Sequence, residues 1–221
     1  MTTNLSRTIK RISTSEALVN ALRIEILDGT LPQGTRLTEA DLAETRGVSR
    51  HTIKLALTEM ASLGLVIQRP HKGVWVREMS DEDITDLYWV RWILEFEAVS
   101  QVAMDSVTWD RLDSCVRSME RMPEDTPWSE VAQADWRFHS ETVACTGSAR
   151  LLRAHEALEA ETLLSFVQCR PEDDPQSVAK AHRALLNVIR TGDATAASDA
   201  LRVHLEQSRQ SLIETRRVVP R

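Results

Sequence analysis

Apolar residues recur every three or four positions through most of the second half of the chain. This spacing lines them up along one face of a helix. The pattern is interrupted at Pro123, Gly147 and Gly192 and over residues 171–175, where proline or glycine separates one element from the next. The pattern therefore predicts an all-α bundle of six helices. Their expected bounds are about residues 82–106, 108–121, 127–145, 148–169, 175–191 and 194–216.

The first third of the chain has a different pattern. An amphipathic helix is predicted from Thr14 to Asp28, and the turn LPQGTRL follows it. Two shorter helices come next, with Thr38 and Ser49 as their N-caps. The apolar runs LVIQRP and GVWVRE, separated by a His-Lys pair, then predict a β-hairpin. Helix, helix, tight turn, helix and hairpin is the order of a winged helix-turn-helix.

These two patterns divide the chain into two domains and predict a mainly α fold class. A winged helix-turn-helix occupies the N-terminal part, and an all-α helical bundle occupies the rest. The expected segments are a flexible arm (1–12), the winged helix-turn-helix (13–77), a linker (78–81), the bundle (82–216) and a tail (217–221).

Charge is distributed unevenly between the two parts. Residues 1–77 contain 11 Lys and Arg against 7 Asp and Glu, a net charge of +4, whereas the remainder carries a net charge of −10. A basic N-terminal part favours contact with nucleic acid, and the acidic part would repel it. No apolar run reaches the ~18 residues of a membrane span, and the three cysteines form no CxxC pair. The composition therefore predicts a cytoplasmic protein.

The third predicted helix carries the candidate DNA-reading residues, because the N-terminal end of this helix enters the major groove in such domains. Arg50 is expected to read a guanine, since its fork matches O6 and N7 together. Arg36 suits a phosphate, and the hairpin tip suits the DNA backbone or the minor groove. A small helical subdomain without DNA contacts is the alternative. The candidate DNA-binding residues are Arg36, Ser49, Arg50, His51, Thr52, Lys54, His71, Lys72 and Gly73.

The stretch DWRFH places Asp135 and His139 one helical turn apart, on the same side of a predicted helix. Taken alone, the pair fits an exposed ion pair or a core histidine held by a carboxylate. His182 and His204 lie on apolar stripes of later helices and are open to the same alternatives. His155 has charged neighbours and is expected on a solvated surface.

Residues Leu22 to Val76 resemble the DNA-binding domain of the GntR family of bacterial transcriptional regulators, with the LPQGTRL turn, GVSR and the wing in that order. Family members usually carry RTPVREAL where this chain reads RHTIKLAL, so its operator is expected to differ from the family norm. The line DITDLYWVRWILEFEAVSQVA resembles the first helix of the FCD effector domain of the FadR-type group, with Arg91 and Glu95 at the R-x-x-L-E positions. Six helices imply the VanR-like branch of that group.

The resemblance implies a metal site. In FCD domains, D-x-x-x-H on one helix combines with one histidine from each of two later helices to hold a divalent cation. That pattern falls on Asp135, His139, His182 and His204. Three imidazoles and one carboxylate suit Zn²⁺, the expected metal, as well as Ni²⁺, Mn²⁺ or Fe²⁺. Coordination positions left open by the protein would accept water or a carboxylate effector.

Two residues are candidates for contact with the effector. The guanidinium of Arg91 suits a carboxylate, although an ion pair inside the bundle explains this residue nearly as well. Ser148 stands where many family members have asparagine after glycine. Ala181 stands where many have glutamate before the histidine, and this change bears on the surroundings of the metal.

The sequence thus predicts a homodimeric regulator without enzymatic activity that binds an inverted-repeat DNA operator as a repressor. A small carboxylate bound near the metal would change operator affinity. One alternative is a regulator whose metal is purely structural or is itself the sensed ligand. Another is a metal-dependent hydrolase, but neither HExxH nor GxSxG occurs, and no general base is evident.

Overall fold

The computed structural model describes residues 13–69, 72–169 and 174–218. The predicted N-terminal arm, the wing residue His71 and the last three residues of the predicted tail lie outside this description. No helix within the described ranges is long and apolar enough to cross a membrane.

The N-terminal part is the predicted winged helix-turn-helix. Its elements are α1 (Thr14–Leu27), β1 (Arg36–Leu37), α2 (Glu39–Arg46), α3 (Arg50–Ser62), β2 (Val66–Arg69) and β3 (Gly73–Val76). The predicted N-caps are present, since Thr38 accepts from Asp41 N and Ser49 accepts from Thr52 N. Gly47 ends α2 with φ of 65°, a left-handed conformation that glycine adopts without strain.

The wing has one strand more than predicted. The antiparallel sheet has the order β1-β3-β2, with Trp75 of β3 opposite Arg36 on one side and Ile67 on the other. Strand β1 contains only two residues, too few for an alternating apolar pattern to reveal it. Pairing with β1 fixes the base of the wing to the turn before α2.

The C-terminal part is the predicted helical bundle. It consists of α4 (Asp81–Ala103), α5 (Trp109–Glu120), α6 (Trp128–Ala144), α7 (Ala149–Glu156), α8 (Glu159–Cys169), α9 (Pro175–Ile189) and α10 (Ala194–Val218), with a 3₁₀ turn at Ser106–Thr108. Helix α4 starts with a capping box, in which Ser80 and Asp83 exchange hydrogen bonds. It packs mainly on α10 and also contacts α6, so its buried face forms the centre of the bundle.

The predicted count of six helices is wrong, because the segment 148–169 forms two helices and the described bundle has seven. The chain bends at residues 157–158, where Leu158 N donates to His155 O in a tight turn. Helix α7 is largely exposed, whereas α8 buries most of its length. Apolar periodicity continues through the bend, and neither glycine nor proline marks it. The helix count therefore gives no support to the six-helix branch.

The two parts contact each other through α8. Arg23 of α1 forms an ion pair with Glu159 at 2.8 Å, and Arg77 forms one with Glu161 at 2.9 Å. The amide of Gln168 donates to Arg77 O and accepts from Met79 N, at 2.5 and 2.9 Å. Helix α8 thus holds both α1 and the backbone of the linker.

Candidate functional site

The N-terminal end of α3 forms an exposed polar surface. Its apolar positions Ile53, Ala56, Leu57 and Met60 are all buried against the domain core. The side chains of Ser49, Arg50, His51 and Lys54 are exposed, and Thr52 is partly exposed. The described residues therefore present the predicted DNA-reading positions on the side of α3 that faces away from the core.

The wing adds a second basic surface that the sequence only partly indicated. Arg36 and Arg69 lie over the ring of Trp75, with guanidinium carbons 5.6 and 5.1 Å from the ring centroid. Lys72 and Gly73 are exposed near the tip. Arg69 was not predicted as a DNA contact, because its pairing with Trp75 depends on strand register rather than on local sequence. Stacking on Trp75 holds both guanidinium groups on one side of the sheet.

A second group of polar residues meets inside the bundle. Asp135 and His139 come from α6, His182 from α9 and His204 from α10. One ligand atom from each of the four lies within 4.8 Å of those of the other three. The rings of His182 and His204 have centroids 4.6 Å apart, and those of His139 and His204 lie 5.2 Å apart. The structure therefore brings together all four residues of the predicted metal site.

Hydrogen bonds determine which ring nitrogens can act as ligands. His182 Nδ1 lies 2.8 Å from Val178 O, and a carbonyl can only accept, so Nδ1 carries the hydrogen. The neutral ring then keeps its lone pair on Nε2, which lies 3.2 Å from Asp135 Oδ1 without hydrogen-bond geometry. His139 Nδ1 donates to Glu95 Oε2 at 2.5 Å, which leaves the lone pair of His139 on Nε2 as well.

The residues fit a divalent cation. Within the described chain, His139 Nε2, His182 Nε2 and Asp135 Oδ2 are buried and have no hydrogen-bond partner. Leaving buried acceptors without partners costs free energy, and two lone pairs facing each other repel. A cation between them would satisfy all of these atoms together. Imidazole nitrogens with one carboxylate oxygen form a ligand set that suits Zn²⁺ and neighbouring transition metals.

The protonation of these groups matches what ligation requires. Burial lowers the pKa of His139 and, together with the nearby His182 and His139 rings, that of His204, so both imidazoles favour the neutral form. Burial opposes the charge of Asp135, but the surrounding basic groups, His182 first and Arg91 among them, outweigh that cost and lower the pKa of the carboxyl. Neutral imidazole and ionised carboxylate are the forms that bind metal.

The prediction that His155 lies on a solvated surface is wrong. This residue is 0% exposed, and its ring stacks on Trp136 with centroids 4.3 Å apart. Its Nε2 lies 3.1 Å from Glu95 Oε1. His155 is the only buried residue of α7, and the bend after this helix turns it toward α4 and α6. The charged neighbours of His155 in the sequence did not indicate that bend, and they suggested an exposed side chain instead.

Arg91 and Ser148, the predicted effector contacts, differ in burial. Arg91 is 1% exposed and donates through Nε to Glu95 Oε1 at 3.0 Å, which is the ion pair considered as its alternative role. Its Nη2 has no hydrogen-bond partner among the described residues. Ser148 is an exposed N-cap of α7 that accepts from Leu151 N. Neither residue lines the cavity beside the four predicted ligands.

That cavity has a volume of about 300 Å³ and reaches Asp135, His182 and His204. The rest of its wall combines aromatic and aliphatic side chains with hydroxyl and amide groups. These residues are Trp128, Phe166, Ser177, Val178, Ala181, Gln207, Ser208, Ser211 and Leu212. The volume suits a small organic molecule, and three of the four predicted ligands form part of the wall.

Comparison with known proteins agrees with this architecture. The description "Bacterial regulatory proteins, gntR family" matches residues 14–76, and the FCD domain matches residues 86–207. The chain is 26% identical to the "Probable D-xylose utilization operon transcriptional repressor" of Paenarthrobacter nicotinovorans, over 90% of this chain and 89% of that protein. It is also 26% identical to the gluconate operon transcriptional repressor of Bacillus licheniformis, over 84% and 79% of the two chains.

A solved structure of a GntR transcriptional regulator from Rhodococcus sp. RHA1 has the same fold. It superposes with a TM-score of 0.77 at 26% identity and covers 90% of this chain and 97% of that one. The similarity therefore extends over both domains. The chain belongs to the GntR family of bacterial transcriptional regulators, with a DNA-binding GntR domain followed by an FCD domain.

Proposed function

We propose that this protein is a homodimeric repressor whose bundle binds a divalent metal and a small carboxylate effector. The observation that carries the proposal is the convergence of three unpartnered buried ligand atoms beside a cavity of about 300 Å³. The domains are those expected from the sequence, residues 13–77 for DNA and 82–216 for effector and dimer contacts. The proposal assigns no reaction to the metal, and two of the relatives described above carry the name of repressor.

On the DNA side, Arg50 reads a guanine in the major groove, and Ser49, His51, Thr52 and Lys54 contact adjacent bases or phosphates. Full exposure of four of these residues and partial exposure of Thr52 at the free end of α3 support this assignment. In the wing, Arg36, Lys72 and Gly73 contact the backbone or minor groove, as does His71, for which the support is its sequence position alone. Arg69 joins this set because it shares the ring of Trp75 with Arg36.

In the bundle, Asp135, His139, His182 and His204 hold the metal, for which Zn²⁺ is the first choice. When bound, the metal supplies positive charge that attracts a carboxylate. Ser177, Gln207 and Ser208 offer hydrogen bonds to hydroxyl groups farther along the effector, while Trp128 and Phe166 pack against its carbons. Two relatives are named for xylose and gluconate operons, and gluconate is a hydroxylated carboxylate of this class.

Of the nitrogens of Arg91, Nη2 is the one proposed to contact the effector, because it has no hydrogen-bond partner in the described chain. Its Nε already donates a hydrogen bond to Glu95 Oε1. Ser148 would contact an effector only from outside the cavity, where it caps α7. The cavity wall therefore provides the main contacts in this proposal.

An apolar stripe on α4 supports the homodimer. Trp89, Ile93 and Phe96 are 57%, 48% and 41% exposed, and Trp92 stacks on Trp89 with centroids 5.3 Å apart. Spacings of three and four residues place these side chains on one face of the helix. Aromatic residues are enriched in interfaces, and reading an inverted repeat requires two winged helices. A second copy of this chain is therefore the proposed partner for the stripe.

Helix α8 links the cavity to the DNA-binding part. Phe166 lines the cavity and accepts from Trp128 Nε1 through its carbonyl, whereas Glu159, Glu161 and Gln168 hold α1 and the linker. An effector that displaces Phe166 would therefore act on contacts that orient the winged helix.

The test is operator binding by the purified protein, with the operator selected from a random DNA pool. Zn²⁺-loaded and chelated protein are titrated with DNA in the presence of gluconate or other small hydroxy acids. We expect the acid to weaken DNA binding only when metal is present. A metal that serves structure alone would raise the melting temperature without an acid response. If chelation changes neither stability nor response, metal-assisted sensing is excluded.

A further inference from the structure

The carboxylate of Glu95 is buried at the centre of the bundle and meets three nitrogen atoms from different helices. Its Oε2 lies 2.5 Å from His139 Nδ1. Its Oε1 lies 3.0 Å from Arg91 Nε and 3.1 Å from His155 Nε2. Arg91 has only N–H donors, so its ion pair with Glu95 places a carboxylate acceptor at the centre of this group. Glu95 is therefore an acceptor for all three.

The contact with His139 selects one form of that ring. A neutral imidazole carries its hydrogen on one nitrogen and its lone pair on the other. Because an ionised carboxylate can only accept, the hydrogen must be on Nδ1, and Nε2 is left to bind metal. His139 Nε2 is also one of the unpartnered ligand atoms. Carboxylates that orient a ligating histidine in this way strengthen metal binding.

The other two contacts hold Glu95 in place. Arg91 and His155 both donate to Oε1, so Oε2 is left to His139. The stacked ring of Trp136 in turn fixes His155, with an interplanar angle of 7°. His155 thus reaches the metal centre through Glu95, although it lies on α7 and supplies no ligand atom to the four-residue cluster.

We propose that Glu95 is a positioning residue of the metal centre, and that Arg91 and His155 hold its carboxylate against His139. The inference rests on the proposed metal site and adds a set of residues to it. In metal-free protein the same contacts keep the hydrogen of His139 on Nδ1 and its lone pair on Nε2, so the site is ordered before the metal binds.

The first test compares the metal affinity of the wild type and Glu95→Gln, by competition with a chelating dye for Zn²⁺. An amide has one oxygen, so it cannot accept from His139 on one side and from Arg91 and His155 on the other. We expect the dissociation constant to rise about 10- to 100-fold. Glu97→Gln is the matched control, since Glu97 is exposed two residues along the same helix and should leave the affinity unchanged.

The second test is independent of metal and of substitution. Nitrogen-15 NMR of the histidine rings in metal-free wild type should report His139 with hydrogen on Nδ1 and an unprotonated Nε2. Hydrogen on Nε2 would overturn the proposal.

If Glu95→Gln does not fold, His155→Phe retains a ring on Trp136 but removes one donor to Glu95. We then expect a smaller rise in the dissociation constant, less than about tenfold.

The outcomes separate this inference from the proposed function. If the wild type binds no metal, both are wrong. If the wild type binds metal and Glu95→Gln binds it equally well, the metal site stands and the role of Glu95 is rejected. A lower melting temperature of metal-free Glu95→Gln with unchanged metal affinity would likewise reduce Glu95 to a structural residue.

Discussion

The proposed DNA-binding face of α3 and the centre of the bundle both contain several charged and histidine side chains, in opposite surroundings. Arg50, His51 and Lys54 are exposed, so water solvates them until DNA replaces it. Asp135 and His139 are buried, where water cannot take the place of a partner. A polar side chain without a protein partner is therefore ordinary on α3, whereas in the bundle it supports a binding site. The difference makes the two sites separable by experiment.

The largest expected effect is on metal binding. His182→Ala removes one of the four proposed ligands and should weaken metal affinity beyond the ~100-fold expected for supporting residues, with a lower melting temperature of the metal-loaded protein. His51→Ala is the matched control, because His51 is exposed on α3. It should leave metal content unchanged and affect DNA binding alone. Full metal occupancy in His182→Ala, measured by elemental analysis, would remove this residue from the ligand set.

The next effect is on operator recognition. Arg50→Ala should cost about 1–3 kcal/mol of binding free energy and relax the preference at one base pair. Fluorescence anisotropy with the selected operator and single-base variants measures both. Arg202→Ala removes a comparable exposed charge from the bundle and should have no effect on operator affinity. Equal losses in the two variants would show that total charge matters rather than the position of Arg50.

A smaller effect distinguishes phosphate contacts from base reading. Lys72→Gln should weaken binding to all sequences about equally and reduce the slope of log affinity against log salt by about 1. Titrations at several salt concentrations, with specific and random DNA, provide the measurement. A sequence-dependent loss would instead make Lys72 a base-reading residue.

The smallest effect concerns an ion pair between α5 and α9, in which Asp113 is buried and Arg183 is partly exposed. Asp113 of α5 accepts from Arg183 of α9 at 2.6 Å, and this hydrogen bond lowers the pKa of the carboxyl from 3.8. Because the folded-state pKa lies below the unfolded one, the stability it provides is present above pH 3.8 and is lost as pH falls through the lowered value. Asp113→Asn should therefore differ from wild type in melting temperature at pH 6 and differ less below pH 3. A difference that stays constant over this range would contradict the ion-pair role.

Local pattern was sufficient for most elements, whereas the candidate ligand set followed from the resemblance to FCD domains. Caps such as Ser49 and Ser80 are encoded within four residues, and Asp135 with His139 is a one-turn pattern. His155 and Arg69 could not be found in this way. Their partners Glu95 and Trp75 are distant in sequence or depend on strand register, so only the assembled fold brings them together.

The hydrogen bonds of Gln168 to the linker backbone would help to set the distance between the two winged helices of the proposed dimer. The side-chain amide of Gln168 binds the backbone on both sides of Glu78. These two hydrogen bonds hold the linker in one position. In a dimer, the distance between the two recognition helices is then set by rigid protein geometry. Such a dimer would bind only operators whose two half-sites have the matching spacing. Inserting a few base pairs between the half-sites would abolish simultaneous binding to both of them.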